Sequence, residues 1–201
     1  MKVDLKKDIV GYRARTGVFD TVDVPPLRFL MIDGRGDPNG PVFGEALTAL
    51  YSIAYPLKFL SKKELDRDYV VMPLEALWWA EDMQSFTAAR DKSAWEWTAM
   101  ILTPDWITAE QFAGGRAKAA SAAAERVRLE TLSEGRCVQT LHVGSFDSEG
   151  PVLQKLHAEV IPSRGLRMTG RHHEIYLSDP RRADPSKLRT ILRQPVSDAA
   201  N

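Results

Sequence analysis

At 201 residues, the chain is long enough for one ample core or two small ones, and a domain of this size buries about 70% of its unfolded surface. With 44% apolar and 27% charged residues it is neither a disordered tail nor a collagen-like rod, and no apolar run approaches the ~20 residues that span a bilayer. Lys+Arg and Asp+Glu both total 27, so the basic excess that drives general nucleic-acid binding is missing and direct nucleic-acid binding is disfavoured. The charged start, Met1 to Asp8, lacks the apolar stretch of a secretory signal, and Cys137 is the one cysteine. We therefore expect a cytoplasmic protein without an internal disulfide or a Cys/His zinc site.

In chain order, residues 1–26 read as a polar lead-in ending at Pro25-Pro26. Leu27 to Ile32 is a short apolar strand, followed by the breaker-rich turn Gly34 to Gly40. Pro41 suits a first helical position, and Val42, Phe43, Ala46, Leu47, Leu50, Tyr51 and Ala54 form one apolar stripe. The spacing predicts that this helix stops near Tyr55-Pro56, since a residue before proline avoids the helical region. Tyr69 to Ala80 is extended and broken at Pro73, Gln84 to Ser93 is a polar loop, and Trp95 to Thr103 is a second strand. Thr108 and Gln111 make a capping-box signature, predicting a long alanine-rich helix to about Leu132 that Gly114 and Gly115 each weaken by about 1 kcal/mol. A strand from Cys137 to Val143, a turn from Gly144 to Gly150 and a helix opened by Pro151 follow. Leu166 to Leu177 should hold a strand, and Lys187 to Gln194 a last one.

Gly34, Asp37, Gly40, Pro41 and Val42 recur as Gly144, Asp147, Gly150, Pro151 and Val152, each set lying between a strand and a helix. The economical reading is a duplicated strand–helix–strand–strand unit. Two such units make an α+β fold, with antiparallel sheet and helices on one face.

The glycine turn departs from a nucleotide-binding loop, because Asn39 stands where a third glycine belongs and no Gly-Lys-Ser/Thr follows. Cys137 heads a strand and reads as packing. His172 and His173 are strand neighbours that point to opposite faces, so they cannot chelate one ion, and no metal or other cofactor is expected. His157 falls on the core-facing side of its helix. Arg181, Arg182, Lys187, Arg189 and Arg193 read as a solvated basic face. The five tryptophans are many for this length. Trp95 and Trp97 share a face, whereas Trp78 and Trp79 do not. Two carboxylates stand inside apolar strands. By alternation Glu75 shares a face with Leu77 and Trp79, and Glu174 with His172 and Tyr176. A buried carboxyl is costly unless paired. It can serve as a general acid or base, or, ringed by aromatics, hold a cation.

Asp33-Gly34-Arg35-Gly36-Asp37-Pro38, Tyr55-Pro56-Leu57-Lys58-Phe59, Met72 through Trp79, Trp95-Glu96-Trp97 and Gly170 through Asp179 resemble the stand-alone branch of the GyrI-like (gyrase-inhibitor-like) small-molecule-binding superfamily. The resemblance implies a lead-in over 1–22 and one domain over 23–196. Its repeat halves, about 23–105 and 133–196, would be joined by a helical connector at 106–132 and face each other across a ligand cleft. It implies a small-molecule partner without a membrane role, and a binder or enzyme rather than a DNA-binding regulator, since only about 25 residues precede the module. Some stand-alone members open the strained cyclopropane of DNA-alkylating compounds, which makes a detoxifying hydrolase the first reading. A binder that sequesters or senses a cationic or aromatic compound is the second. Contact with gyrase has no residue-level support. By the same resemblance the catalytic candidates are Glu174 and Glu75, and the ligand-binding candidates Tyr55, Trp78, Trp97 and Tyr176. Ala76 stands where the family's tryptophan motif is expected to carry glycine.

Overall fold

The computed structural model describes residues 2–81 and 92–199, so most of the expected loop from Gln84 to Ser93 lies outside the described residues. The chain divides into two compact units. Unit 1 comprises Met1–Asp8 and Leu27–Leu132, and unit 2 comprises Ile9–Pro26 and Ser133–Asn201. The fold is α+β, and all described strand ladders are antiparallel.

Unit 1 contains β2 (Leu27–Arg35), α1 (Pro41–Glu64), β3 (Leu74–Trp79), β4 (Glu96–Leu102), α2 (Ala109–Ala117) and β5 (Arg128–Leu132). Its strands pair in the order β3-β4-β2-β5. Four consecutive residues of β2, Phe29 to Ile32, are buried, which requires both faces of this central strand to be covered. Helix α1 opens with Pro41 in its first turn, as the sequence predicts, and packs on β2 and β4.

Contrary to expectation, α1 runs through Pro56 to Glu64. Proline removes one backbone donor, but the apolar stripe continues beyond it through the buried Leu57 and Ser61. Ser61 Oγ donates to the Arg67 carbonyl and accepts from Trp106 Nε1, so the last turn is held by tertiary contacts. Burial outweighs the local penalty. The alanine-rich segment also departs from its expected course. The Thr108/Gln111 capping box forms, yet α2 ends at Ala117 and is followed by a short 3₁₀ turn (Ala122–Arg126) and β5. Two forces redirect it. β5 pairs along the edge of β2, and Gly115 lies so close to α1 that an added Cβ would sit 3.3 Å from Leu57 Cδ2.

Unit 2 repeats the plan with β6 (Gly135–Val143), an interrupted helix, β8 (His172–Tyr176) and β9 (Arg189–Asp198). β1 (Asp20–Val24), from the segment read as a polar lead-in, pairs with the edge of β6 as β5 pairs with β2. The pairing order is β1-β6-β9-β8. The expected strand from Leu166 to Leu177 is two strands. β7 (Leu166–Met168) pairs with the far end of β9, and Gly170, with φ +62°, turns the chain into β8. The helix starts as α3 (Gly150–Gln154), widens to a π-helical stretch (Lys155–Val160), and ends as α4 (Ile161–Ser163). Leu156 and Ile161 from this helix pack with Val138 and Val196 of the sheet. Among the described residues no helix is long and apolar enough to cross a membrane.

Candidate functional site

In antiparallel pairing, directly opposed residues share a face. In unit 2 Tyr176 opposes Thr190, and Thr190 opposes His142, so these lie on one side of the sheet with Glu174 and His172, as strand alternation predicts. The helix packs on this side, because Val138, on the same face of β6, contacts Leu156. Glu174 has a side chain only 14% exposed, and the Tyr176 hydroxyl donates to its Oε2 at 2.7 Å. Its Oε1 lies 3.7 Å from His172 Nε2. The His172 ring meets His157 from the helix edge-to-face, with centroids 5.5 Å apart, and Tyr176 meets Phe146 in the same manner at 5.5 Å.

Glu149, the residue before Gly150-Pro151, completes this group. It is 4% exposed, and burial, helped by the neighbouring Glu174 charge, pushes its pKa up to about 10. The Thr190 hydroxyl lies near enough to favour the ionised form, though outside hydrogen-bonding geometry. Burial also lowers the pKa of His157, and that of His172 well below its ordinary value, so both rings are neutral at pH 7.

Six buried side-chain polar atoms lack a hydrogen-bond partner among the described residues. Five of them are Glu149 Oε1, His157 Nε2, both ring nitrogens of His172 and Thr190 Oγ1. Buried polar atoms are ordinarily satisfied, so their concentration around Glu174 sets this place apart from the rest of the described core. No group of three His, Cys, Asp or Glu side chains among the described residues is arranged to hold a metal ion. The chemistry available is that of a proton-bearing carboxyl beside a carboxylate, with neutral imidazoles nearby.

On the other face of the unit 2 sheet, polarity serves structure. Arg193, expected on a solvated basic face, is 1% exposed. It donates from Nη1 to Glu134 Oε2 at 2.8 Å, from Nε to Gln139 Oε1 at 3.0 Å, and from Nη2 to the Gly11 carbonyl at 2.6 Å. His173 Nδ1 lies 3.0 Å from Glu134 Oε1, so His172 and His173 do point to opposite faces. Burial works to raise the Glu134 pKa, but His173 and Arg193 outweigh it and hold it at about 2. Burial pushes the Cys137 thiol up to about 12, which removes it as a nucleophile near neutrality. An open groove of about 370 Å³ elsewhere in this unit, lined by Tyr12, Arg13, Arg15, Asp20, Leu177 and Arg189 among others, includes no expected site residue.

The other expected aromatic residues, Tyr55, Trp78 and Trp97, belong to unit 1. Gly34, Trp97 and Trp78 form one row across β2, β4 and β3, and Phe43 of α1 packs on both indoles, with centroids 4.9 Å from Trp97 and 5.8 Å from Trp78. Trp95 packs on Trp78 at 5.7 Å. Trp97 is 1% and Trp78 5% exposed, whereas Tyr55 on α1 is 48% exposed beside Tyr51. A Cβ on Gly34 would fall 2.0 Å from Trp97 Cη2, and Trp97 Nε1 donates to the Gly36 carbonyl at 3.3 Å. The glycines of that turn thus accommodate an indole. Glu75 is buried on the opposite face from Trp78 and Trp97, in line with Leu77 and Trp79, as alternation predicts. Ala76 lies fully buried between these two faces' neighbours, on the Trp78 side.

Sequence reading reached Glu174 and Tyr176 but missed Glu149 and Thr190, and took His157 as a core residue. One signal was available: Glu149 occupies the place that exposed Asn39 holds in the first copy of the turn, immediately ahead of Gly-Pro.

The GyrI-like small molecule binding domain matches residues 19–197. Over 98% of this chain and 100% of the other, the fold is similar to that of an uncharacterized conserved protein from Listeria innocua, at 40% identity and a TM-score of 0.87. It is similar over the same extents to a protein described as a hydrolase from Listeria innocua, at 38% identity and a TM-score of 0.83. The EcmrR C-terminal domain shares the fold alone, at 9% identity and a TM-score of 0.55 over 90% of this chain and 99% of that one. No curated protein matches. The chain belongs to the GyrI-like small-molecule-binding family.

Proposed function

We propose that the protein is a hydrolase that opens strained, carbonyl-conjugated cyclopropanes, and so disarms electrophiles that would alkylate DNA. The observation that carries this reading is the set of unpartnered buried polar atoms gathered around Glu174. A site for an inert apolar ligand has no use for them, whereas a water molecule and a reacting carbonyl would satisfy several. The relative described as a hydrolase, 38% identical over essentially the whole chain, supports the same reaction class. Glu174 takes a proton from the attacking water, and Tyr176, donating to Oε2, orients the carboxylate. Tyr55, half exposed, and Trp78 are the proposed ligand contacts of unit 1, with Trp97 supporting Trp78 from within the core. Glu75, buried on the face of β3 opposite Trp78, stays the second proposed catalytic carboxylate after Glu174.

The second reading, a binder without turnover, is favoured by the size of the Phe43–Trp78–Trp95–Trp97 block, which suits a flat aromatic compound. Turnover separates the two. A spirocyclopropyl cyclohexadienone is incubated with the wild type and with Glu174→Gln, and the water adduct is followed by mass. We expect adduct formation well above the buffer rate and a loss of about 10²–10⁴-fold in the variant. Buffer-rate adduct formation by the wild type, with thermal stabilisation by the probe retained, would sink the hydrolase and leave the binder.

A further inference from the structure

We propose that Glu149 is the general acid of this reaction, delivering its proton to the substrate oxygen on which electrons accumulate as the ring opens. The inference rests on the hydrolytic reading above and assigns a further catalytic residue to it. Three observations carry it. Glu149 is only 4% exposed, and its Oε1 has no hydrogen-bond partner among the described residues. It shares its surroundings with Glu174, which lies close enough to disfavour its ionisation. Other proton donors nearby are engaged or weakly acidic: the Tyr176 hydroxyl proton is directed to Glu174, and His157 and His172 are neutral rings whose remaining N–H is a far weaker acid than a carboxyl. The groups that bear on Glu149 are Glu174 from β8, Thr190 from β9 and Asp147 from its own turn, and both carboxylates favour its protonated form. Two carboxyls held in opposite protonation states are what acid–base catalysis of a hydrolysis requires.

Water oxygen forms a bond to a ring methylene while Glu174 accepts one water proton. The strained carbon–carbon bond breaks, and its electron pair moves through the conjugated ring to the carbonyl oxygen. That oxygen takes the proton of Glu149 and becomes a phenol. Nothing is oxidised or reduced, and the product is substrate plus water. Exchange with solvent then returns a proton to Glu149 and removes one from Glu174.

The test uses a series of spirocyclopropyl cyclohexadienones whose product phenols differ in acidity through ring substituents. With the wild type, rates should depend weakly on that acidity. In Glu149→Gln the rate for the least acidic phenol should fall by about 10²-fold or more, and the loss should shrink as the phenol becomes more acidic, because a stable phenolate needs no donated proton. A merely structural role predicts an equal loss across the series. Equal loss, or wild-type rates within about twofold throughout, would overturn the assignment while leaving the hydrolase intact. Absence of turnover by the wild type would remove the hydrolase reading and this inference with it. If circular dichroism shows Glu149→Gln to be unfolded, Glu149→Asp, which keeps the acid but withdraws it by one methylene, is read on the same series. The same acidity-dependent loss supports the assignment and a uniform loss overturns it.

Discussion

The two units use one strand–helix–strand–strand plan for opposite purposes. In unit 1 the helix-facing side of the sheet is filled by Ala76, Trp78, Trp97 and Phe43, and α1 is an unbroken helix of 24 residues. In unit 2 the equivalent side carries His172, Glu174 and Tyr176. The helix above it contains a π-helical stretch from Lys155 to Val160 that includes His157. Such widened turns occur often at functional sites, because they re-aim a side chain at the expense of regular hydrogen bonding. Duplication leaves one copy free to keep its core apolar while the other accumulates groups that are unfavourable to bury. Unit 2 itself is divided: on one face the polar groups of Arg193, Glu134 and Gln139 satisfy one another, and on the other Glu149 Oε1, His157 Nε2, both His172 ring nitrogens and Thr190 Oγ1 have no hydrogen-bond partner among the described residues.

That division predicts that stability and chemistry can be damaged separately. The largest stability loss should come from Arg193→Ala, which removes the guanidinium serving Glu134, Gln139 and the Gly11 carbonyl. Breaking a buried, satisfied ion pair costs about 3–5 kcal/mol, because the remaining charge is stranded. Urea unfolding measures it. Replacing both partners, Arg193→Met with Glu134→Leu, should cost less than Arg193→Ala, since the Glu134 carboxylate is then no longer stranded, although His173 loses that partner. A loss near zero for Arg193→Ala would show that this face is no more structural than the other.

On the reactive face the sign reverses. The folded protein keeps the Glu149 proton up to about pH 10, whereas the unfolded chain releases it near its ordinary value of 4.5. The unfolded state therefore binds fewer protons between these limits, and stability falls as pH rises from the lower to the higher. Glu149→Gln keeps the neutral shape and does not titrate. It should match the wild type near pH 4.5 and exceed it by about 3 kcal/mol at about pH 7, the gap widening further in alkali. Unfolding midpoints across that range measure it. A gap that is flat with pH would mean that Glu149 is ionised in the fold, and would blur the contrast between the two faces.

Much of this arrangement was legible in the sequence, for identifiable reasons. Strand alternation placed Glu174 with His172 and Tyr176, and Glu75 with Leu77 and Trp79, because the period of a strand is fixed by backbone geometry alone. The repeated glycine turn announced the duplicated order of elements. What stayed hidden depended on contacts distant in the chain. Pro56 reads locally as a stop, and only the burial of Leu57 and Ser61 carries the helix past it. Arg193 reads as one more basic surface residue until Glu134, Gln139 and Gly11 converge on it. The segment Arg128–Leu132 became a strand because β2 had an edge to cover. Glu149 carried no periodic signal at all, since it sits in a turn.

The smallest expected effect tests why each copy of the turn keeps its first glycine. In unit 1 an added Cβ at Gly34 meets Trp97 at 2.0 Å, and that indole is pinned by Phe43 and faced by Trp78, so it cannot swing aside. Gly34→Ala should cost about 1–3 kcal/mol by overpacking and alter near-ultraviolet circular dichroism through displaced tryptophans. Trimming the indole in the Gly34→Ala, Trp97→Leu double variant should relieve the clash, leaving a loss smaller than the sum of the two single losses. In unit 2 the reason is different. Gly144 has φ +145°, and a Cβ there would meet Ser148 Oγ at 2.8 Å. Truncating Ser148 removes that contact but neither the backbone strain nor the approach to His142 Nε2 at 3.1 Å, so Gly144→Ala should stay destabilised in the presence of Ser148→Ala. Rescue in unit 1 without rescue in unit 2 would show that the same residue was retained twice for different causes, an indole neighbour in one copy and backbone conformation together with the His142 ring in the other.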